Sequence, residues 1–190
     1  MKAMRKASFV FGVVMFIVLV SWLVIKNSTP KLFKDVPENH WAHFAVEMLV
    51  NAGIISPADD EMFYGERAIT HAEMAQAVAN LLLKISPSST ADAKKIVDDS
   101  ASVGDKVIDR YEIAVMLADV YKKVHKDNLA VATKTFKDVP ADHWASESVY
   151  LLDAEGLMEG YSNGTFRGER TMTRYEAAVL IGKFYGRFSS

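Results

Sequence analysis

The chain has 190 residues, enough for one domain or two small ones, and half of them are apolar. It contains no cysteine, which excludes disulfide bonds and thiolate metal sites. Residues 1–26 carry four basic and no acidic side chains, which leaves 18 basic and 24 acidic ones in residues 27–190. A region this acidic has no basic face with which to displace counterions from phosphates, so we expect no nucleic-acid partner.

Residues 8–25 form an uncharged, mostly apolar run of 18 residues, which as a helix would be about 27 Å long, close to the thickness of a bilayer core. Three basic residues precede the run and predict a cytoplasmic N-terminus. We therefore interpret residues 1–30 as a signal anchor in the cytoplasmic membrane, with residues 31–190 outside the cytoplasm. A cleaved signal peptide is the main alternative and a buried core helix a lesser one. The run is longer than a usual signal, and no small-x-small cleavage site follows it.

One stretch of the chain occurs twice. The sequence FKDVPENHWA at residues 33–42 returns as FKDVPADHWA at residues 136–145, and the offset of 103 residues holds without a gap as far as Glu73 and Glu176. Self-similarity at a fixed offset indicates a repeat architecture. We define repeat one as residues 33–84 and repeat three as residues 136–188.

Each of these copies predicts a helix, a loop and a second helix. Asn39 in repeat one and Asp142 in repeat three are candidate N-caps of a first helix. Gly53 and Gly156 follow at positions suited to a left-handed C-cap. The second helix opens with a capping box, Thr-x-x-Glu, at Thr70 and again at Thr173.

A degenerate repeat two is predicted at residues 90–125. Asp109 and Glu112 rebuild the capping box, at an offset of 64 residues from repeat three, but no tryptophan or proline-bearing start precedes them. We expect its first helix to be short. Because one helical pair cannot bury its apolar face alone, the three repeats must pack together, and the fold is predicted to be mainly all-α.

These motifs together resemble the S-layer homology (SLH) module. They run in the order F-K-D-V-P-x-x-H-W-A, then Gly, G-Y-x-x-G-T-F-R-G and T-R-Y-E, and the resemblance covers nearly all of residues 33–188. It implies a pseudo-threefold bundle of three helical repeats with ligand grooves between neighbours. It also implies noncovalent attachment of envelope proteins to the cell wall, through a pyruvylated secondary cell-wall polymer or modified peptidoglycan.

The resemblance also implies binding residues. The arginine of its Thr-Arg-x-Glu motif, which pairs with the acidic group of the glycan, corresponds to Arg174 and Arg110, and a guanidinium binds a carboxylate in bidentate fashion. We predict Arg174 as the principal glycan-binding residue and Arg110 as the second. The residues expected around Arg174 are Trp144, Asp138, Tyr161 and Gly164. In repeat one the arginine is replaced by His71 and the loop is acidic, which makes that groove doubtful for an anionic ligand.

Structural roles compete with these assignments. Trp41 and Trp144 are assigned to the core first, with sugar stacking as the alternative, and Asp35 and Asp138 are expected to fix a turn by bonding to backbone. The chain has no nucleophile elbow, P-loop, HExxH or dinucleotide motif, so we expect neither an enzyme nor a cofactor or metal site.

The function that we predict is noncovalent binding of a cell-wall glycan by an exported SLH module, which tethers the membrane to the wall. The alternative is an envelope adaptor whose degenerate repeats bind another protein instead of a glycan. A third hypothesis, an enzyme, would need an active site in the linker loops.

Overall fold

The protein is described by a computed structural model over residues 33–56, 60–125 and 129–189. These ranges hold the helices α1 (His43–Asn51), α2 (His71–Ile85), α3 (Thr90–Ala101), α4 (Arg110–Val124), α5 (Ser146–Ala154) and α6 (Arg174–Phe188). The described segments contain isolated β-bridges but no regular β-strand, and the prediction of a mainly all-α fold is confirmed. The predicted signal anchor at residues 1–30 lies outside the described residues. In the part that is described, no helix has the length and apolarity to cross a membrane.

The repeats are joined in cyclic order, because the first helix of each repeat packs against the second helix of the preceding one. In this way α3 of repeat two packs on α2, α5 of repeat three packs on α4, and α1 of repeat one packs on α6. The last contact closes the ring between repeats three and one. Helix α2 also contacts α4 and α6 in the centre.

Three equivalent β-bridges hold the starts of the long helices together. They join Ala68 with Thr173, Thr70 with Val107, and Asp109 with Thr171. Next to each bridge, the first backbone N–H of a long helix donates to a carbonyl of the following repeat: His71 to Lys106 at 2.9 Å, Arg110 to Arg170 at 3.1 Å, and Arg174 to Arg67 at 2.9 Å. These bonds satisfy donors that a helix start leaves without an intrahelical partner.

The helix ends follow the sequence pattern in part. All three predicted capping boxes are confirmed, at Thr70, Asp109 and Thr173. The two predicted left-handed glycines are confirmed as well, with φ of 71° at Gly53 and 66° at Gly156.

The predicted N-caps Asn39 and Asp142 are wrong, because α1 and α5 begin three residues later than expected. A separate turn precedes α1, in which the backbone N–H of His40 donates to Pro37 at 2.9 Å. The His40 imidazole Nδ1 then accepts the N–H of Ala42 at 3.3 Å. His143 makes the equivalent bond to Ala145 at 3.3 Å before α5.

The prediction of a short first helix in repeat two is also wrong. Helix α3 has 12 residues, against 9 each in α1 and α5. It is exposed and charged, and the ion pairs Lys94–Asp98 and Lys95–Asp99 have the i,i+4 spacing that supports a solvated helix. Only Ala93 and Ser100 of α3 are fully buried, so small side chains allow it to lie close to α2.

The core is formed by apolar side chains of the three long helices, with Phe63 and Phe166 from the loops. Trp41 and Trp144 are not part of it, and their assignment to the core is wrong: Trp41 is 62% exposed and Trp144 is 63% exposed. They stand at the edges of buried tyrosine rings, with centroids 5.9 Å apart for Trp41 and Tyr175 and 6.0 Å apart for Trp144 and Tyr111. The tyrosines take the buried places that the tryptophans were expected to fill.

Candidate functional site

Each Thr-Arg-x-Glu arginine lies in the loop of the next repeat in the cyclic order. Arg174 Nε donates to the carbonyl of Phe63 at 2.8 Å, and its guanidinium carbon lies 4.8 Å from the centroid of the Phe63 ring. Arg110 makes the same contacts with Phe166, at 3.2 Å and 4.6 Å. Arg110, and not Arg174, is therefore the arginine that the third-repeat loop surrounds. The predicted grouping of Arg174 with four residues of repeat three is wrong, because the arginine of one repeat serves the following repeat.

The structure brings Tyr161 and Trp144 to Arg110 in different ways. The Tyr161 ring lies between two guanidinium groups, with its centroid 5.4 Å from Arg110 Cζ and 4.3 Å from Arg167 Cζ. Trp144 stands at the edge of Tyr111, the residue that follows Arg110. The Tyr111 ring in turn lies 4.3 Å from His143, and its hydroxyl donates to the carbonyl of Asp138 at 2.9 Å.

Gly164 shapes the loop rather than contacting the arginine. It has a φ of 80°, and its N–H donates to Tyr161 at 3.0 Å, while the N–H of Tyr161 donates to Thr165 at 2.7 Å. Its carbonyl accepts the N–H of Lys137 at 3.0 Å. A residue with a side chain would be strained at this φ, so the glycine allows the turn that presents Tyr161.

Asp138 fixes the same loop through hydrogen bonds to its backbone. Its two carboxylate oxygens accept the backbone N–H groups of Phe166 at 2.8 Å and Arg167 at 2.7 Å. Arg167 has a φ of 54°, which is unusual for a residue other than glycine, and the bonds fix it there. Partial burial opposes ionisation of Asp138, but these N–H bonds outweigh it and lower the pKa of the carboxyl group. Asp35 binds Phe63 and Tyr64 in the same way, both at 2.7 Å, so the predicted hydrogen bonding of both aspartates to backbone is confirmed.

The space beside Arg110 is a cleft of about 320 Å³, which we call the Arg110 groove. Repeat three provides most of its lining, and Trp41 of repeat one lies at its edge. Besides Arg110 and Tyr161, the polar and charged lining consists of Glu159, Arg170, Glu176 and Lys183. Arg170 and Lys183 were not among the predicted site residues, and Trp41 was assigned to the core with sugar stacking as the alternative. No local sequence pattern places these three residues beside Arg110.

The charge of Arg110 is only partly offset by its neighbours. Its Nε and Nη2 donate to the carbonyls of Phe166 and Glu159, both at 3.2 Å, and its Nη1 has no hydrogen-bond partner among the described residues. The nearby Glu176 is instead held by Arg170 through two bonds, of 3.2 and 2.7 Å. Burial lowers the pKa of Arg110, although a guanidinium stays protonated at neutral pH. A buried cation with a donor to spare can bind an anion from solvent.

The corresponding cleft beside Arg174, which we call the Arg174 groove, has a volume of about 420 Å³. Its arginine, unlike Arg110, bonds directly to a carboxylate. Arg174 Nη1 donates to the carboxylate of Glu73, which also accepts from Arg67 at 3.0 and 2.5 Å. Burial opposes ionisation of Glu73, but the bond from Arg67 contributes to a net lowering of its pKa. The charge of Arg174 is therefore already paired within the protein.

The third cleft, the His71 groove, has about 340 Å³ and lies between repeats one and two. Here His71 replaces the arginine, and its Nε2 lies 3.1 Å from Glu112 Oε1. Ala72 replaces the tyrosine, and repeat two has no tryptophan to stand beside it. The sequence already indicates that this groove differs from the other two. The tyrosine is missing from repeat one and the tryptophan that would contact it is missing from repeat two.

Comparison with known proteins gives a consistent result. A family model described as the S-layer homology domain matches residues 32–75 and 135–178. An S-layer protein of Bacillus thuringiensis subsp. finitimus is 29% identical over 180 residues, which cover 84% of this chain and 22% of that protein. Outer membrane protein SlpA of Thermus thermophilus is 56% identical over 46 residues, 24% of this chain and 5% of that protein. Outer membrane protein alpha of Thermotoga maritima is 50% identical over 48 residues, 25% of this chain and 12% of that protein. The chain thus spans less than a quarter of the length of each of these relatives.

Proposed function

Because this chain is an S-layer homology domain protein, we propose that it attaches to the cell wall through the Arg110 groove, by noncovalent binding of an acidic glycan. The observation that carries the proposal is the incompletely paired guanidinium of Arg110, whose Nη1 is free to bind a carboxylate. Arg174, which was predicted first, is the weaker candidate because its Nη1 already donates to Glu73, a carboxylate that it shares with Arg67.

The surroundings of Arg110 are suited to a sugar. The Tyr161 ring lies beside the guanidinium, and the exposed Trp41 ring lies at the edge of the groove. Aromatic faces and edges bind the apolar faces of sugar rings while leaving the hydroxyl groups hydrated. Lys183 lines the same groove with its side chain 48% exposed, and its Nζ lies 2.9 Å from Glu159. An exposed ion pair of this kind is weak, so an anionic ligand can compete with Glu159 for the ammonium group.

We also propose that the protein resides in the cell envelope, with residues 31–190 outside the cytoplasm. The apolar run at residues 8–25 and the basic residues before it support export, and the relatives are S-layer and outer membrane proteins by name. An uncleaved anchor would make the protein a tether between membrane and wall, whereas cleavage would release it to the wall alone.

A protein–protein adaptor is the second candidate function, and one observation favours it. Phe44, in the first turn of α1, is 74% exposed and follows the exposed Trp41 by three residues. The equivalent residue of repeat three is Glu147, which pairs with Lys122. An exposed aromatic pair of this kind is typical of a protein-binding surface.

Co-sedimentation with cell-wall sacculi tests the proposal. The full chain is mixed with native sacculi or with sacculi stripped of attached polymers, and a tube without sacculi controls for self-aggregation. We expect wild type to pellet with native sacculi, while Arg110→Gln and Lys183→Gln stay largely in the supernatant. The second variant changes an exposed side chain and guards against loss of folding in the first.

Stripping then identifies the ligand. Loss of binding to stripped sacculi indicates the attached polymer, and retention indicates the peptidoglycan itself. Folded Arg110→Gln and Lys183→Gln variants that pellet as well as wild type would contradict binding in the Arg110 groove. A wild-type chain that stays in the supernatant with sacculi from its own source would favour the adaptor.

A further inference from the structure

The three grooves differ in charge at one equivalent position. Lys183 on α6 lines the Arg110 groove, and the residue 64 positions earlier, Asp119 on α4, lines the His71 groove. In the Arg174 groove the place is taken by Asn80 on α2. The arginine at the other side of the groove is retained in two cases and replaced by His71 in the third. The His71 groove has therefore lost a cation at one side and gained an anion at the other.

The ion pairs at the mouth of the His71 groove leave one carboxylate unpaired. Lys123 Nζ is 2.6 Å from Asp92, across the gap between α4 and α3, and Lys95 pairs with Asp99 on α3. No basic side chain of the described residues lies within ion-pair distance of Asp119. The lining thus offers a carboxylate, and no free cation, to a ligand.

One buried polar group in the same cleft is not hydrogen-bonded. Ser100 is 5% exposed and lines the cleft, and its Oγ has no hydrogen-bond partner among the described residues. His71 is 8% exposed and lines the cleft as well, but its Nε2 lies 3.1 Å from the Glu112 carboxylate. Buried polar groups without a partner are rare in folded proteins, so the Ser100 hydroxyl needs an explanation. A hydroxyl group both donates and accepts, which matches the hydroxyl groups of a sugar.

We propose that the His71 groove is a second glycan subsite that binds a cationic amino sugar, a hexosamine whose amine is not acetylated. The ammonium group pairs with Asp119, a sugar hydroxyl bonds to Ser100, and the apolar face of the ring lies against the side chains of Leu82 and Met116. The cleft volume of about 340 Å³ is sufficient for a sugar unit. A shallower depression that shares Asp92 and Asp119 adjoins it, and a longer glycan can continue there. The subsite does not depend on what the Arg110 groove binds.

Isothermal titration calorimetry on the full chain tests this subsite with matched probes. The first probe is a disaccharide of two β-1,4-linked glucosamine units, the second is its N,N′-diacetyl form, and the third is a simple linear diamine. We expect the first probe to bind at least about tenfold more tightly than either of the others, because only it has both the ammonium and the hydroxyl groups.

Variants then locate the site. Asp119→Asn, an exposed and nearly isosteric change, should weaken binding of the free-amine disaccharide about tenfold, and Ser100→Ala should weaken it about fivefold. Asp98→Asn, at an exposed carboxylate of α3 that does not line the cleft, should leave it within twofold of wild type. Equal affinity for the free and acetylated disaccharides, equal affinity for the linear diamine, or an Asp119→Asn variant that binds like wild type would overturn the proposal. Because these probes are not acidic glycans, the result is independent of the sacculus experiment.

Discussion

The contact between repeats two and three and the contact between repeats one and two share their backbone bonds and differ in their side chains. In the first, the N–H groups of Arg110 and Tyr111 donate to Arg170 and Gly168 at 3.1 and 3.0 Å. In the second, those of His71 and Ala72 donate to Lys106 and Gly104 at 2.9 and 3.3 Å. The bridges and the capping boxes are kept in both.

This comparison separates what holds the fold from what binds a ligand. The backbone ring and the caps make the same bonds whichever side chains surround them, so they can maintain the bundle in a degenerate repeat. The arginine, tyrosine and tryptophan are absent from one contact without loss of the helices there. We infer that Arg110 and Arg174 serve mainly the grooves that they line, whereas the buried Tyr111 and Tyr175 also fill the core.

The largest difference is expected at two equivalent glycines. A Cβ added at Gly168 would lie 2.1 Å from the Tyr111 ring, whereas one added at Gly104 meets no atom within 4 Å. We expect Gly168→Ala to lower the free energy of unfolding by about 3 kcal/mol, because the buried ring must move. Gly104→Ala should cost only about 1 kcal/mol, for its φ of 65°. Urea unfolding of the two variants gives the comparison, and equal losses would show that the tyrosine is not the constraint.

The two bonds from backbone N–H groups to the Asp138 carboxylate have no counterpart among the described residues of repeat two. Asp138→Ala removes a carboxylate that accepts two backbone N–H groups and should cost about 2 kcal/mol of unfolding free energy at pH 7. Because the folded-state pKa of Asp138 is lowered, this stabilisation is present above the unfolded-state pKa of about 3.9 and is lost as pH falls through the folded-state value. The difference in unfolding free energy between wild type and Asp138→Ala should therefore become smaller below about pH 4. If this difference stayed constant down to pH 2, the ionised carboxylate of Asp138 would not be the source of the stabilisation.

The caps should behave alike in all three repeats. Thr173→Ala removes the N-cap of α6 and should lower the free energy of unfolding by about 1 kcal/mol, and Asp109→Ala should do the same for α4. Thermal and urea unfolding of the pair provide the measurement. An unchanged melting temperature for either variant would mean that the cap of that repeat is not needed.

The smallest effect on stability is expected at the tryptophans. Because Trp144 is 63% exposed, Trp144→Ala should cost less than about 1 kcal/mol, whereas a core tryptophan would cost about 3–5 kcal/mol. Trp41→Ala should behave in the same way. A loss of several kcal/mol in either variant would show that the tryptophan contributes to the core after all.

Much of the fold could be predicted from the sequence, because local chemistry determines it. The Thr-x-x-Glu boxes and the glycines with positive φ act within a few residues, so their spacing alone located the long helices and the ends of the short ones. The N-caps at Asn39 and Asp142 were misplaced because a histidine side chain, and not the residue with the highest capping preference, bonds to the backbone before the helix.

The site was predicted less well, because it depends on which repeat touches which. The sequence identified Arg110, Tyr161 and Asp138, but their grouping required the cyclic order in which each arginine lies in the following loop. Arg110 and Arg174 both lie within the capping boxes of their own helices, in DRYE and TRYE, and the bond of Arg174 to Glu73 distinguishes the pairing of the two guanidinium groups. Such contacts between distant parts of the chain have no local pattern in a single sequence.

The choice between the two arginines is tested most directly by a charge-preserving substitution. Arg110→Lys and Arg174→Lys keep the positive charge but lose the bidentate geometry of the guanidinium. In sacculus co-sedimentation with each folded variant, we predict that Arg110→Lys weakens binding about tenfold or more, while Arg174→Lys stays within about twofold of wild type. Equal losses, or a larger loss for Arg174→Lys, would contradict the assignment of the Arg110 groove as the site of wall attachment.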